Sequence, residues 1–204
     1  MAETLFEKIK ERAGSEPRSV GWYRKQLRYL SAEYHNKPIT QLLSDENSDD
    51  KQDELFQDTN ESRKTVRKGH FYLFEYKAST KWLRWYDTYP LVYVVDRSED
   101  YFIGCNFHYI NPKYRLKIIE NLIAHDTLVV PKGSFHKYLR ENVKNGRYLD
   151  LGVDEWMTAI MLPIDNFVYI KNDKQFSVRK NDVWDDSYRN RKRTIRVKRT
   201  LEKY

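Results

Sequence analysis

Residues 69–109, GHFYLFEYKASTKWLRWYDTYPLVYVVDRSEDYFIGCNFHY, decide the fold. Three runs in this stretch are rich in aromatic and β-branched residues. They are His70-Phe71-Tyr72-Leu73-Phe74-Glu75-Tyr76, Leu91-Val92-Tyr93-Val94-Val95, and the segment from Tyr101 to Tyr109. Such side chains fit a pleated, half-buried surface. The links Ala78-Ser79-Thr80-Lys81 and Asp96-Arg97-Ser98-Glu99-Asp100 are polar. Strands joined so closely become antiparallel neighbours. The reading is an α+β protein built on a small antiparallel sheet, or an SH3-like barrel if that sheet closes, with flanking helices. Gly104 inside the third run marks a bulge or a close approach of backbone.

On the C-terminal side, Asn111-Pro112 opens a helix, with Pro112 in the first turn where an N–H has no intrahelical acceptor. Leu116, Ile118, Ile119, Leu122 and Ile123 form its apolar face. Residues 127–130 read as a short strand. Ser134 opens a helix with Phe135, Tyr138 and Leu139 facing inward, and Gly146 interrupts the pattern. Tyr148-Leu149-Asp150-Leu151 is extended. Asp154 caps a helix over residues 155–162, which Pro163 ends. From Asn166 alternation gives way to charge, with a short helix at residues 183–188. On the N-terminal side, Leu5, Phe6 and Ile9 stand at helical spacing before Gly14. Ser19 caps a second helix over residues 20–34, carrying Trp22, Tyr23, Leu27 and Leu30 on one side. The chain divides into N-terminal helices (1–42), an acidic linker or insertion (43–66), an α+β core domain (67–188) and a basic C-terminal tail (189–204).

The charge is segregated. Lys and Arg number 37 against 30 acids, a formal net charge of +7. Residues 45–61 hold eight acids and one base, Lys51, which leaves the remainder near +14. A basic surface favours nucleic acid, an anionic surface or an acidic protein face. The strongest concentration is Arg189, Arg191, Lys192, Arg193, Arg196, Lys198 and Arg199, with no acid among them. These seven are the candidate contacts to phosphate or to another partner, because guanidinium offers a bidentate fork. In this tail Ile195 and Val197 would share one strand face, and Arg196 and Lys198 the other.

The residues that could carry chemistry point away from catalysis. Cys105 stands alone, which excludes an intramolecular disulfide and a multi-thiolate zinc site. His35, His70, His108, His125 and His136 include no HExxH or HxH spacing, so no metal is expected. On an alternating strand Cys105 and His108 point to opposite faces, and His108 reads as a structural histidine beside Asn106. Paired carboxylates are plentiful, but none lies in an evidently apolar frame: Asp154-Glu155 suits a helix start and Asp185-Asp186 a solvated stretch. No phosphate-cradling glycine loop or nucleophile elbow occurs. No cofactor, no small-molecule substrate and no enzyme activity are expected. The first residues are charged throughout, without the apolar core of a signal peptide, and no apolar run approaches the ~18 residues of a membrane span.

Several blocks together resemble a family of small proteins of large contractile-tailed bacteriophages. They are Ser19-Val20-Gly21-Trp22-Tyr23-Arg24, the run from Gly69 to Tyr76, Trp85-Tyr86-Asp87-Thr88-Tyr89-Pro90-Leu91-Val92, the run from Phe102 to Arg115, Gly146-Arg147-Tyr148-Leu149, and Asp154-Glu155-Trp156 with Ala159-Ile160-Met161-Leu162-Pro163. Against the family's pattern, Trp85 replaces Tyr, Cys105 and Phe107 replace Leu, and Asn111 replaces Pro. The acidic stretch matches least. The resemblance carries over no catalytic residue. It implies a protein made in the host cytoplasm and carried in the virion, a non-enzymatic tail, baseplate or neck component in contact with other virion proteins. The alternative is a nucleic-acid-binding accessory factor of phage DNA replication, recombination or packaging.

Overall fold

The computed structural model describes residues 5–15, 18–19, 21–23, 25–26, 62–63, 65–80, 83–146, 148–189 and 194–198. The acidic stretch 45–61 and most of the second N-terminal helix lie outside these residues. The described part of that helix begins as expected, with Ser19 Oγ accepting from the Trp22 N–H at 3.1 Å.

The fold is α+β and its main sheet is antiparallel. The strands are β1 (Ser62–Arg63), β2 (Phe71–Leu73), β3 (Tyr86–Asp87), β4 (Leu91–Arg97), β5 (Tyr101–Asn106), β6 (Thr127–Pro131), β7 (Phe135–Leu139), β8 (Tyr148–Leu151), β9 (Phe167–Lys171), β10 (Lys174–Ser177) and β11 (Thr194–Lys198). The helices are α1 (Leu5–Ala13), α2 (Pro112–His125), α3 (Trp156–Ala159) and α4 (Lys180–Arg189). Six strands form one sheet in the order β1-β8-β2-β4-β5-β7, three form a second in the order β10-β9-β3, and β11 pairs with β6 as a ribbon. The sheet does not close into a barrel.

Both faces of the six-stranded sheet are buried, and strand alternation sorts the residues between them. Phe71, Leu73, Leu91, Tyr93, Cys105, Leu149 and Leu151 meet Ile9 of α1, Ile119 and Leu122 of α2, and Trp156 and Ala159 of α3. Tyr72, Phe74, Val92, Val94, Phe102, Tyr138 and Tyr148 face the other way and meet Tyr86 and Val168 of the three-stranded sheet. The result is three layers: helices, large sheet, small sheet. Edge-to-face rings fill both cores, with Phe71 against Trp156 at 5.0 Å and Phe74 against Tyr138 at 5.4 Å between centroids. Gly104 is a close approach: a Cβ there would strike Val92 Cγ1 and lie 2.7 Å from the Tyr93 carbonyl oxygen. The bulge falls on the partner strand, between Val94 and Asp96.

Several elements differ from their local sequence pattern. Residues 135–139 are the edge strand β7, paired with β5 in the register Gly104↔His136, not a helix. Phe135, Tyr138 and Leu139 suit either period over so short a run, and the free edge of β5 decides it. The helix read over residues 155–162 is the single turn α3, with Glu155 rather than Asp154 at its N-cap and no side-chain capping hydrogen bond. On α2 the buried residues are Arg115, Ile119 and Leu122, whereas Leu116 and Ile123 face outward. The third strand ends at Asn106, and residues Phe107–Tyr109 form a 3-10 turn. Where alternation gives way to charge after Asn166, the chain forms the hairpin of β9 and β10, with Asn172 and Asp173 at φ 51° and 57° in its turn.

Candidate functional site

Two polar concentrations stand out, one inside the molecule and one on its surface. The inner one centres on Asp87, a carboxylate that sequence reasoning passed over. Tyr86-Asp87 forms β3, and alternation turns Tyr86 into the core between the sheets and Asp87 the other way. The Asp87 carboxylate accepts four hydrogen bonds. Oδ1 takes the N–H groups of Tyr89 at 2.9 Å and Asn166 at 3.2 Å, while Oδ2 takes Asn106 Nδ2 at 3.2 Å and His108 Nδ1 at 2.6 Å. A carboxylate only accepts, so Nδ1 of His108 carries the proton. Asn106 Oδ1 also holds the His108 backbone N–H at 3.0 Å, which sets the start of the 3-10 turn. Burial alone would push the Asp87 carboxyl up. The interaction with His108 and the donated hydrogen bonds outweigh it and hold the carboxyl below its ordinary range.

The node extends through the His108 carbonyl. That oxygen accepts from Arg115 Nη2 at 3.2 Å and from Trp184 Nε1 at 2.9 Å. Arg115 is itself buried, and donates Nε to the Ile110 carbonyl and Nη1 to the Ile160 carbonyl, both at 2.8 Å. Burial lowers its pKa to about 10, with Asp165 and Asp87 acting in the opposite sense. One network thus ties β3, β5, the approach to β9, α2, α3 and α4 together. An Asp–His pair of this geometry can orient an imidazole for proton transfer. Here His108 is fully buried, and its Nε2 meets no hydrogen-bond partner among the described residues. The arrangement fits a structural tie.

Cys105 lies apart from His108, but not by strand alternation, because β5 ends at Asn106 and His108 stands in the 3-10 turn that follows. Cys105 lies in the helix-side core, with its Sγ 3.3 Å from Ser134 Oγ, and burial pushes the thiol up to about 12. A thiol so placed stays protonated and is a poor nucleophile. His136 on β7 packs against Tyr109 at 4.1 Å between ring centroids, and burial lowers its pKa to about 4. Among the described residues no group of three or more His, Cys, Asp or Glu is placed to hold a metal ion, and no helix is long and apolar enough to cross a membrane.

The outer concentration is the C-terminal run. Arg189 ends α4. Arg191, Lys192, Arg193 and Arg199 lie outside the described residues. Residues Thr194–Lys198 form β11, in the register Ile195↔Val130, Arg196↔Val129 and Val197↔Leu128. Ile195 and Val197 are half-buried and Val197 packs against the main core, whereas Arg196 and Lys198 are exposed. The faces divide as the sequence pattern requires. This part of the tail is therefore a strand of the body rather than a loose appendage. Among the described residues neither Arg196 nor Lys198 has an ion-pair partner. Their partners across the ribbon are the exposed Val129 and the half-buried Thr127.

No family model, curated protein or solved structure matches this chain.

Proposed function

We propose that this protein is a non-enzymatic, nucleic-acid-binding accessory component of a bacteriophage, acting in phage DNA metabolism or packaging. The observation that carries the reading is the ribbon of β6 and β11, which holds Arg196 and Lys198 side by side on an outward face while Ile195 and Val197 anchor the strand. Cations at alternate positions of a strand repeat at about 6–7 Å, close to the spacing of successive phosphates along one nucleic-acid strand. The phage origin rests on the resemblance of the aromatic blocks. The test is a titration with duplex DNA at increasing salt. Binding whose logarithm falls linearly with log salt, by about 0.9 per phosphate contact, supports the reading. Arg196→Gln with Lys198→Gln is expected to make that slope shallower by about two units. Absence of salt-sensitive binding to any DNA or RNA rejects it.

A second reading, a virion assembly protein, is favoured by one surface feature. Val153, Met157 and Met161 are 46%, 41% and 49% exposed around α3. Methionine is adaptable and common on protein-docking surfaces. Mass spectrometry of purified virions separates the two: stoichiometric incorporation supports assembly, and recovery only from infected cells supports the accessory role.

A further inference from the structure

We infer that the outer face of the three-stranded sheet is a stacking platform for unpaired nucleic-acid bases. This rests on the nucleic-acid reading above but uses a different surface, and it specifies the ligand as single-stranded. The hairpin of β9 and β10 places Phe176 directly across from Tyr169, and their rings stack at 5.2 Å with an interplanar angle of 20°. Phe176 is 42% exposed and Tyr169 is half-buried, so the pair looks outward. Directly beyond them, on the same face by alternation, Lys171 pairs with Lys174, and both are exposed.

The same face continues onto the neighbouring strand. Phe167 lies two residues before Tyr169 on β9, and Trp85 packs with Phe167, Val178 and Val183 in one cluster. Trp85 directly precedes β3, which pairs with β9 in the register Tyr86↔Val168. Trp85 therefore occupies the position facing Tyr169 across the sheet. Its ring is covered by the Arg84 guanidinium at 4.1 Å, and Arg84 is held in place by Asp186 at 2.6 Å. The inner part of this face, at Asp87 and Phe167, is buried under α4. The outer part is open. It presents the Tyr169–Phe176 ring pair, with Trp85 under its Arg84 cover at one end and the two lysines along the side.

That combination selects its ligand by chemistry. Bases of any sequence offer a π-face to an aromatic ring, and the phosphates that join them need cations beside the rings. A duplex hides those faces inside its stack, so only its phosphates reach the lysines. An acidic peptide would use the lysines but not the rings. A neutral saccharide would use the rings but not the lysines. Single-stranded DNA or RNA uses both.

The experiment is fluorescence anisotropy on the full chain with three labelled probes: an oligothymidylate on the order of 20 nucleotides, long enough to cover one site, the same length with abasic residues, and a duplex of equal length. Phe176→Ala and Tyr169→Ala are each expected to weaken oligothymidylate binding about tenfold and leave duplex binding within about twofold. Phe176→Tyr, which keeps a ring, retains affinity. The abasic probe binds the unaltered protein no better than oligothymidylate binds Phe176→Ala, a comparison that needs no altered protein to fold. Circular dichroism checks that each variant is native. If the variants and the abasic probe bind as the unaltered pair does, the platform is overturned while the basic ribbon reading stands. If polyglutamate competes as well as oligothymidylate, the platform is also overturned, in favour of an acidic protein partner. If none of the nucleic-acid probes binds, the proposed function falls and the platform falls with it.

Discussion

The Asp87–His108 node and the β6–β11 ribbon are both dense in charge, yet the molecule uses them oppositely. At the node every oxygen of the carboxylate is occupied, and the donors come from the segment after β3, β5, the 3-10 turn and the segment before β9. On the ribbon Arg196 and Lys198 point outward from a strand held down by its other face. Removing one partner from a buried ion pair leaves an uncompensated charge in a low dielectric, whereas an exposed cation is already solvated. Charge that is buried therefore measures what the fold needs, and charge that is held outward is free to meet a partner.

The largest effect is expected at the node. Asp87→Ala strands His108, Asn106 and two backbone N–H groups inside the protein, and is expected to cost about 3–5 kcal/mol in urea unfolding. A loss below about 1 kcal/mol would show that the node is not a tie. Acid should act in the same direction. Asp87 ionises more readily in the folded chain than in the unfolded one, so its contribution is present above the ordinary carboxylate range and is lost as pH falls through and below it. His136 has its pKa lowered from 6.5 to about 4, so between those values the unfolded chain binds the extra proton and acid again favours unfolding. Stability should therefore fall on acidification below neutrality, by up to about 1.4 kcal/mol per pH unit for each proton. His136→Phe should flatten the part of that fall between the two values, as read from melting temperature against pH.

Substitutions on the ribbon have smaller effects. Val197→Ser, on the half-buried face of β11, is expected to cost about 1 kcal/mol, part of the burial of a valine side chain. Arg196→Gln with Lys198→Gln, on the exposed face of the same strand, should stay within about 0.5 kcal/mol of the unaltered protein. That double variant separates stability from binding, since the salt dependence of DNA binding is where its effect should appear. A large stability loss instead would place the two cations in the structure rather than at a partner.

Much of the strand framework was legible because it is local. The runs at Phe71, Leu91 and Tyr101 carry the β-type residues that pair in the large sheet, and Asn111-Pro112 opens α2 with Asn111 Oδ1 accepting from the Lys113 N–H at 3.2 Å. The split of β11 into a cationic and an apolar face was equally legible, because a period of two needs no knowledge of neighbours. Residues 135–139 were misread because five residues support either period, and the partner that settles it lies some thirty positions earlier, in Tyr101–Asn106. The β9–β10 hairpin was missed although Asn172-Asp173 is a turn signal, because charged and exposed strands lack an apolar alternation.

The amino-acid sequence was enough for the α+β class, the antiparallel pairing of the central strands and the segregation of charge. Each follows from residue type and short-range spacing. Tertiary structure alone decided that the sheet stays open, that both of its faces are buried, and that Asp87 becomes a saturated carboxylate at the junction of two sheets. It also decided that part of the basic tail is a strand, since β11 needs the edge of Thr127–Pro131, more than sixty residues away in the chain, to complete its hydrogen bonds. Burial and long-range pairing depend on which surfaces meet, and a backbone group or carboxylate that leaves water must find its partner wherever the fold brings one.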